Sequence, residues 1–222
     1  MEAEFNTFHL HKSKMLLSLG TLRKIIFLYF AIMSCILITS YLFQYIALEL
    51  SPFTPGLRSG HEWFDKIKGS CDNVRVEAAI LQNPPENTIA GHGYAATCYG
   101  LAGKLDKARE WINNLPSSQQ YEAAMIIFNV AHPIADSGDD ASSGPMMELV
   151  IEFQPNNYMA LYHAGMSEYI LGDYINSKKN LSKFHELYDT GDIFSQRGKA
   201  VLLALETGKM LPVETVKGFT LE

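Results

Sequence analysis

"LAGKLDKAREW", Leu101 to Trp111, decides how the rest of the chain is read. Upstream, the run "GYAATCYGLA" is good helix sequence, and downstream "DKAREWI" is good helix sequence again. Between them stand Gly103, Lys104 and Leu105. Glycine takes φ > 0 without the Cβ clash that other residues meet, so Gly103 can close one helix. Asp106 follows, where an acidic side chain suits the free N–H groups of a new helix. The stretch therefore predicts a helical hairpin with a tight turn rather than one broken helix.

The same outline recurs along the chain. "KIKGSCDN", "ADSGDDAS", "ILGDYINS" and "LETGKMLP" share it, and the five turn glycines are Gly69, Gly103, Gly138, Gly172 and Gly208. Their separations are 34, 35, 34 and 36 residues. A hairpin of that size is too small to bury its own apolar face, so neighbouring hairpins must stack to complete a core. From His61 onward no useful length of sequence alternates with the period of a strand. The expected fold class is all-α: an α-solenoid of helical hairpins.

A period near 34 built from helix–turn–helix units resembles the tetratricopeptide repeat. In Ile89–Pro116 the matching residues are Ala96 and Tyr99, then Gly103 at the turn, then Ala108. In Tyr158–Tyr188 they are Leu161, Ala164, Gly165, Gly172, Tyr174 and Leu181, and Pro155 stands where the family closes a repeat. The second of these units departs at Glu168, where tyrosine is usual, and at Ser177, where alanine is usual. The middle unit, Tyr121–Pro155, carries Pro133 inside its first helix and reads as having a long turn; the first unit, near Gly60–Pro84, matches by spacing.

Tetratricopeptide-like proteins bind extended or helical peptides on the concave face of their first helices. That face maps here to Gly93, Thr97 and Leu101 in one unit, and to Met159, Tyr162, Met166 and Tyr169 in another. By spacing, the middle unit adds Met125, Phe128, His132 and Asp136. The resemblance thus implies a non-catalytic scaffold for a protein or peptide partner that the sequence does not name, with Thr97, Leu101, Phe128, His132, Met159, Tyr162, Met166 and Tyr169 as partner-binding residues. Core packing is the competing reading for residues at this spacing.

Residues 25–48, "IIFLYFAIMSCILITSYLFQYIAL", contain no charged residue. As a helix they would run about 36 Å, enough to cross a bilayer. Tyr29, Tyr41 and Tyr45 lie toward the ends, where aromatic rings suit the interface. The run exceeds the apolar region of a cleaved signal peptide and no A-x-A-like site follows it, so it reads as an uncleaved signal-anchor. "IMSC", Ile32 to Cys35, has the outline of a lipoprotein box, but Cys35 is followed by more apolar sequence. Lys12, Lys14, Arg23 and Lys24 precede the span, and Arg58 alone follows closely. Basic residues stay in the cytoplasm, which places the N-terminus inside and the bulk of the chain outside, in the periplasm if the source is bacterial.

The resulting division is a cytoplasmic tail 1–24, a membrane span 25–48, a Pro/Gly linker 49–60, a repeat domain 61–210 and a tail 211–222. Residues 61–222 carry 13 Lys/Arg against 21 Asp/Glu, a net charge of −8. With no basic stripe, nucleic-acid binding is not expected. Outside the cytoplasm, Cys71 and Cys98 read either as a disulfide or as two buried thiols. No C-x-x-C or His/Cys cluster points to zinc.

The stretch "AHPIADSGDDASSGP", Ala131 to Pro145, gathers His132, Asp136, Asp139 and Asp140. As a metal or catalytic module it is the alternative to the scaffold. It lacks EF-hand spacing, and capping explains it better: Asp and Ser cap a widened turn and Pro145 opens the next helix. His92 and His163 read as single helix histidines. Ser142 and Ser143 lack the G-x-S-x-G elbow, and no phosphate or dinucleotide loop is present. No enzyme, cofactor or metal is expected. Asn180-Leu181-Ser182 fits the N-glycosylation triplet, relevant in a eukaryotic source.

Overall fold

Helix propensity and turn chemistry agree along the chain, and every regular element among the described residues is helical. The structure, a computed structural model, describes residues 19–49 and 55–218, with side chains over 22–40 and 59–218. The chain divides into two units, Met1–Pro52 and Phe53–Glu222.

The first unit holds α1 (Leu19–Glu49), which extends beyond the expected span at both ends. Its stretch Leu22–Ser40 is long and apolar enough to cross a membrane, and none of it is buried inside the protein. The Thr39 hydroxyl there is satisfied within its own helix: Oγ1 donates to the Cys35 carbonyl at 2.9 Å. In a medium without water this is how a threonine is tolerated. The cytoplasmic-tail reading of 1–24 falls largely outside the described residues, as do linker residues 50–54.

The second unit runs α2 (Pro55–Ile67), a 3-10 turn (Lys68–Ser70), α3 (Val76–Gln82), α4 (Ile89–Leu101), α5 (Leu105–Asn113), α6 (Ser117–Asp136), α7 (Asp140–Phe153), α8 (Tyr158–Leu171), α9 (Tyr174–Leu187), α10 (Ile193–Thr207) and α11 (Val213–Gly218). Two boundaries differ from the sequence reading. The supposed linker is already helical from Pro55, a residue whose fixed φ suits a first helical position. The supposed C-terminal tail forms α11, and its Val216 is fully buried.

Short polar side chains start the helices. Thr88, Asp139, Asn157, Asp173 and Asp192 each accept a hydrogen bond from the N–H three residues on, satisfying a donor that has no partner within the helix. Glycines stop them. Gly103, Gly138, Gly172 and Gly208 have φ of 71°, 82°, 88° and 68°, the left-handed region that other residues resist. Gly69 does not belong with them. It sits within the 3-10 turn after α2 and has no left-handed φ; its carbonyl accepts from the Arg75 guanidinium at 2.8 Å. Gly191, φ 75°, is a left-handed glycine that the period of 34 passes over, because it turns between α9 and α10.

Packing follows chain order. α4 contacts α2, α5 and α6; then α6 packs on α7, α7 on α8, α8 on α9 and α9 on α10. One apolar cluster extends from Phe64 of α2 to Ala164 of α8, and a second joins Leu161, Tyr162, Met166 and Tyr169 to Phe184, Val201 and Val216. Close approach of α4 and α6 depends on Gly93, where a Cβ would stand 2.6 Å from Ile126 Cδ1 and 3.0 Å from the Ala123 carbonyl oxygen.

Covalent and polar ties add to the apolar core. Cys71 and Cys98 are joined as a disulfide, Cα atoms 4.8 Å apart, which fastens the segment after α2 to α4. Cys98 is fully buried and Cys71 nearly so. Arg109 of α5 grips Glu152 of α7 through Nε at 2.6 Å and Nη2 at 2.7 Å. That fork geometry is the strongest form of an Arg–carboxylate pair.

Candidate functional site

The eight residues assigned to a partner-binding face fall into two groups. Thr97, Tyr162, Met166 and Tyr169 are between 0 and 1% exposed. They are interior residues, which corrects the expectation of a groove there. Thr97 Oγ1 donates to the Gly93 carbonyl at 2.8 Å, within its own helix. The Tyr162 ring packs against Phe184 and Phe194 of the following helices. The Tyr169 hydroxyl donates to the Leu211 carbonyl at 3.0 Å and accepts from the Leu211 N–H at 2.7 Å, pinning the approach to α11. The physical reason is common to all four: α8 is buried from Ala160 to Tyr169, and α4 from Ala90 to Gly100. A helix enclosed on every side presents no groove.

Leu101, Phe128, His132 and Met159 are half-buried and keep surface for a partner. Two of them, Phe128 and His132, lie at one feature. On α6, His132 and Asp136 are separated by one turn, so their side chains share a face. His163 of α8 meets that face. His132 Nδ1 is 3.8 Å from Asp136 Oδ2, His163 Nε2 is 3.7 Å from Asp136 Oδ1, and the imidazole centroids are 4.9 Å apart, 76° between planes. One donor atom from each of the three residues falls within 4.8 Å of the others. Phe128 stacks on the His132 ring at 5.0 Å and the Tyr162 ring stands edge-on to His163 at 5.2 Å. These aromatic contacts fix both imidazoles.

Electrostatics keep the deep side neutral. His163 is 3% exposed, and burial, with His132 beside it, pushes its imidazole down to about 3. It is therefore an uncharged ring with a lone pair, not a cation. Burial likewise pushes the Tyr162 phenol up to about 12, against the pull of Arg197. Asp136, half-exposed, supplies the negative charge on the solvent side.

The other acidic residues of the stretch are used elsewhere. The turn is tight, not wide: α6 runs to Asp136, Gly138 reverses the chain, and α7 starts at Asp140. Asp139 caps α7 through the Ser142 N–H at 3.2 Å. Asp140 is buried, and burial raises its carboxyl to about 6. Pro145 lies inside α7 rather than at its first position. Pro133 deprives the Asn129 carbonyl of its helical donor, which is tolerable because Asn129 is exposed to water. His92 bridges two groups, Nδ1 2.9 Å from the Trp111 carbonyl oxygen and Nε2 3.0 Å from Asn87 Oδ1, and has a structural role.

No local sequence signal joins His163 to the His132–Asp136 pair. His163 lies 31 residues after His132, on the first helix of the next hairpin. No protein-family model, curated protein or solved structure matches the chain. Among the described residues, the class that the molecule itself defines is an all-helical protein with one apolar helix long enough to span a membrane.

Proposed function

We propose that this protein is a membrane-tethered, tetratricopeptide-like scaffold that holds a protein or peptide partner outside the cytoplasm and performs no chemistry itself. The observation that carries the reading is α1: an apolar helix with no buried residue over Leu22–Ser40, in a unit separate from a helical domain. Burying α1 in a bilayer removes an apolar surface that water disfavours. The Cys71–Cys98 bond supports the non-cytoplasmic side, since disulfides persist where the medium is oxidising. Left-handed glycines at three hairpin turns, 34 to 35 residues apart, and packing in chain order support a stacked repeat.

Partner contact is assigned to the half-buried residues Leu101, Phe128, His132 and Met159. Tethering raises the local concentration of whatever they engage. Photo-crosslinking tests this in the full chain in its own membrane. A crosslinker at Phe128 or Met159 should give one discrete adduct, and one at exposed Glu206 should give none. Adducts equal at all three sites, or at none, would remove the assigned face.

A further inference from the structure

We propose that His132, Asp136 and His163 form a binding site for one divalent first-row transition-metal ion, bridging α6 and α8. The site combines three observations. The donor atoms converge from two helices to within 4.8 Å. The Nε2 atoms of both histidines are buried with no hydrogen-bond partner. Asp136 lies 3.7 Å from His163 Nε2 and 3.8 Å from His132 Nδ1, too far for a hydrogen bond to either ring. An unpaired buried polar atom is costly, and proteins rarely leave two together.

A metal ion held by His163 Nε2, Asp136 and one nitrogen of His132 would account for the convergence and for the unpartnered Nε2 of His163. Two imidazoles and one carboxylate are a donor set that zinc and its neighbours accept. Around a tetrahedral ion with bonds near 2.0–2.1 Å the donors stand about 3.4 Å apart. From a spread of up to 4.8 Å the donors therefore close by up to about 1.4 Å on binding. Asp136, the last residue of α6 and half-exposed, can supply part of that movement. The stacked Phe128 and edge-on Tyr162 already hold the rings. Calcium is a poor fit, because it needs six or more oxygen ligands and this site has one carboxylate. Three protein donors leave a coordination position open on the Asp136 side, for water or for a ligand atom of a bound molecule.

His61 and Asp65 of α2 provide an internal control. They repeat the one-turn His–Asp spacing, at 3.2 Å, without a second histidine in their cluster. The inference is independent of the scaffold reading: ion binding is read from the full chain without any partner.

The test is zinc and cobalt(II) titration of the chelator-treated full chain in detergent, followed by calorimetry and, for cobalt, visible absorption. The background carries H9A and H11A, which removes a histidine pair in the N-terminal segment. One equivalent of each ion should bind. D136N and H132A should each weaken binding at least about tenfold, while H61A should leave it unchanged. Zinc should raise the melting temperature of the background protein and not that of D136N. Failure of both ions to bind saturably, binding that survives D136N and H132A in folded protein, or binding lost in H61A would overturn the site.

Discussion

Reduction of the Cys71–Cys98 bond is the perturbation whose size the structure sets most directly. The bond closes a loop with a sequence separation of 27. The chain-entropy relation gives about 12 cal/mol/K for a loop of that length, or about 3.5 kcal/mol at 25 °C. Both sulfurs are nearly or fully buried, so breaking the bond leaves two thiols packed where they were, and the crosslink itself dominates the effect. For a helical unit of this size each kcal/mol shifts the melting temperature by about 2–4 °C. The expected fall is therefore about 7–14 °C. The assay is helix signal against temperature for the full chain in detergent, oxidised and reduced. C71A/C98A should melt like the reduced protein. Alkylation of unreduced, denatured protein should modify Cys35 alone, and all three cysteines after reduction. A melting temperature insensitive to reductant, or three modified thiols before reduction, would refute the reasoning.

Other predictions test the interior. Glu168 is 4% exposed and burial raises its carboxyl to about 7 from 4.5, although Asn180 Nδ2 donates to both oxygens at 2.8 and 2.9 Å. The folded state then holds a proton that the unfolded state has released. The resulting stabilisation is complete below about pH 4.5 and lost as pH rises through about 7, a loss of about 3 kcal/mol. In urea unfolding, E168Q should flatten that part of the pH profile; an unchanged slope would contradict it. Gly93→Ala places a methyl group against the Ala123 carbonyl oxygen, which cannot move without α6, and should cost about 1–3 kcal/mol in the same assay. Tyr169→Phe leaves the Leu211 N–H and carbonyl without their shared partner and should cost about 1–2 kcal/mol while exposing the C-terminal segment to protease.

The hairpins were legible because turn chemistry is local. Gly103, Gly138 and Gly172 act through their own backbone, and Asp139 and Asp173 cap through their own side chains. Gly69 was misread for the same reason that it was noticed: spacing alone cannot separate a left-handed turn from a 3-10 turn. The supposed binding face was only partly legible. Tyr162, Met166 and Tyr169 have the residue types of a contact surface, but the elements that cover them, α9, α10 and the segment before α11, lie later in the chain. The His132–Asp136 pair was visible as a one-turn spacing. Its meeting with His163 was not, because it depends on how α6 and α8 come together.

Thiol accessibility across the membrane tests the central claim most directly. With Cys35 replaced by alanine, a single cysteine is placed either at Ile175, 85% exposed in the helical domain, or at Ser13, in the basic segment before α1. Sealed membranes with their outer face exposed are treated with an impermeant maleimide. The account predicts labelling at 175 without permeabilisation, and at 13 only after it. Labelling at 13 with protection at 175, or recovery of the chain as a soluble protein, would contradict a helical domain anchored outside the cytoplasm.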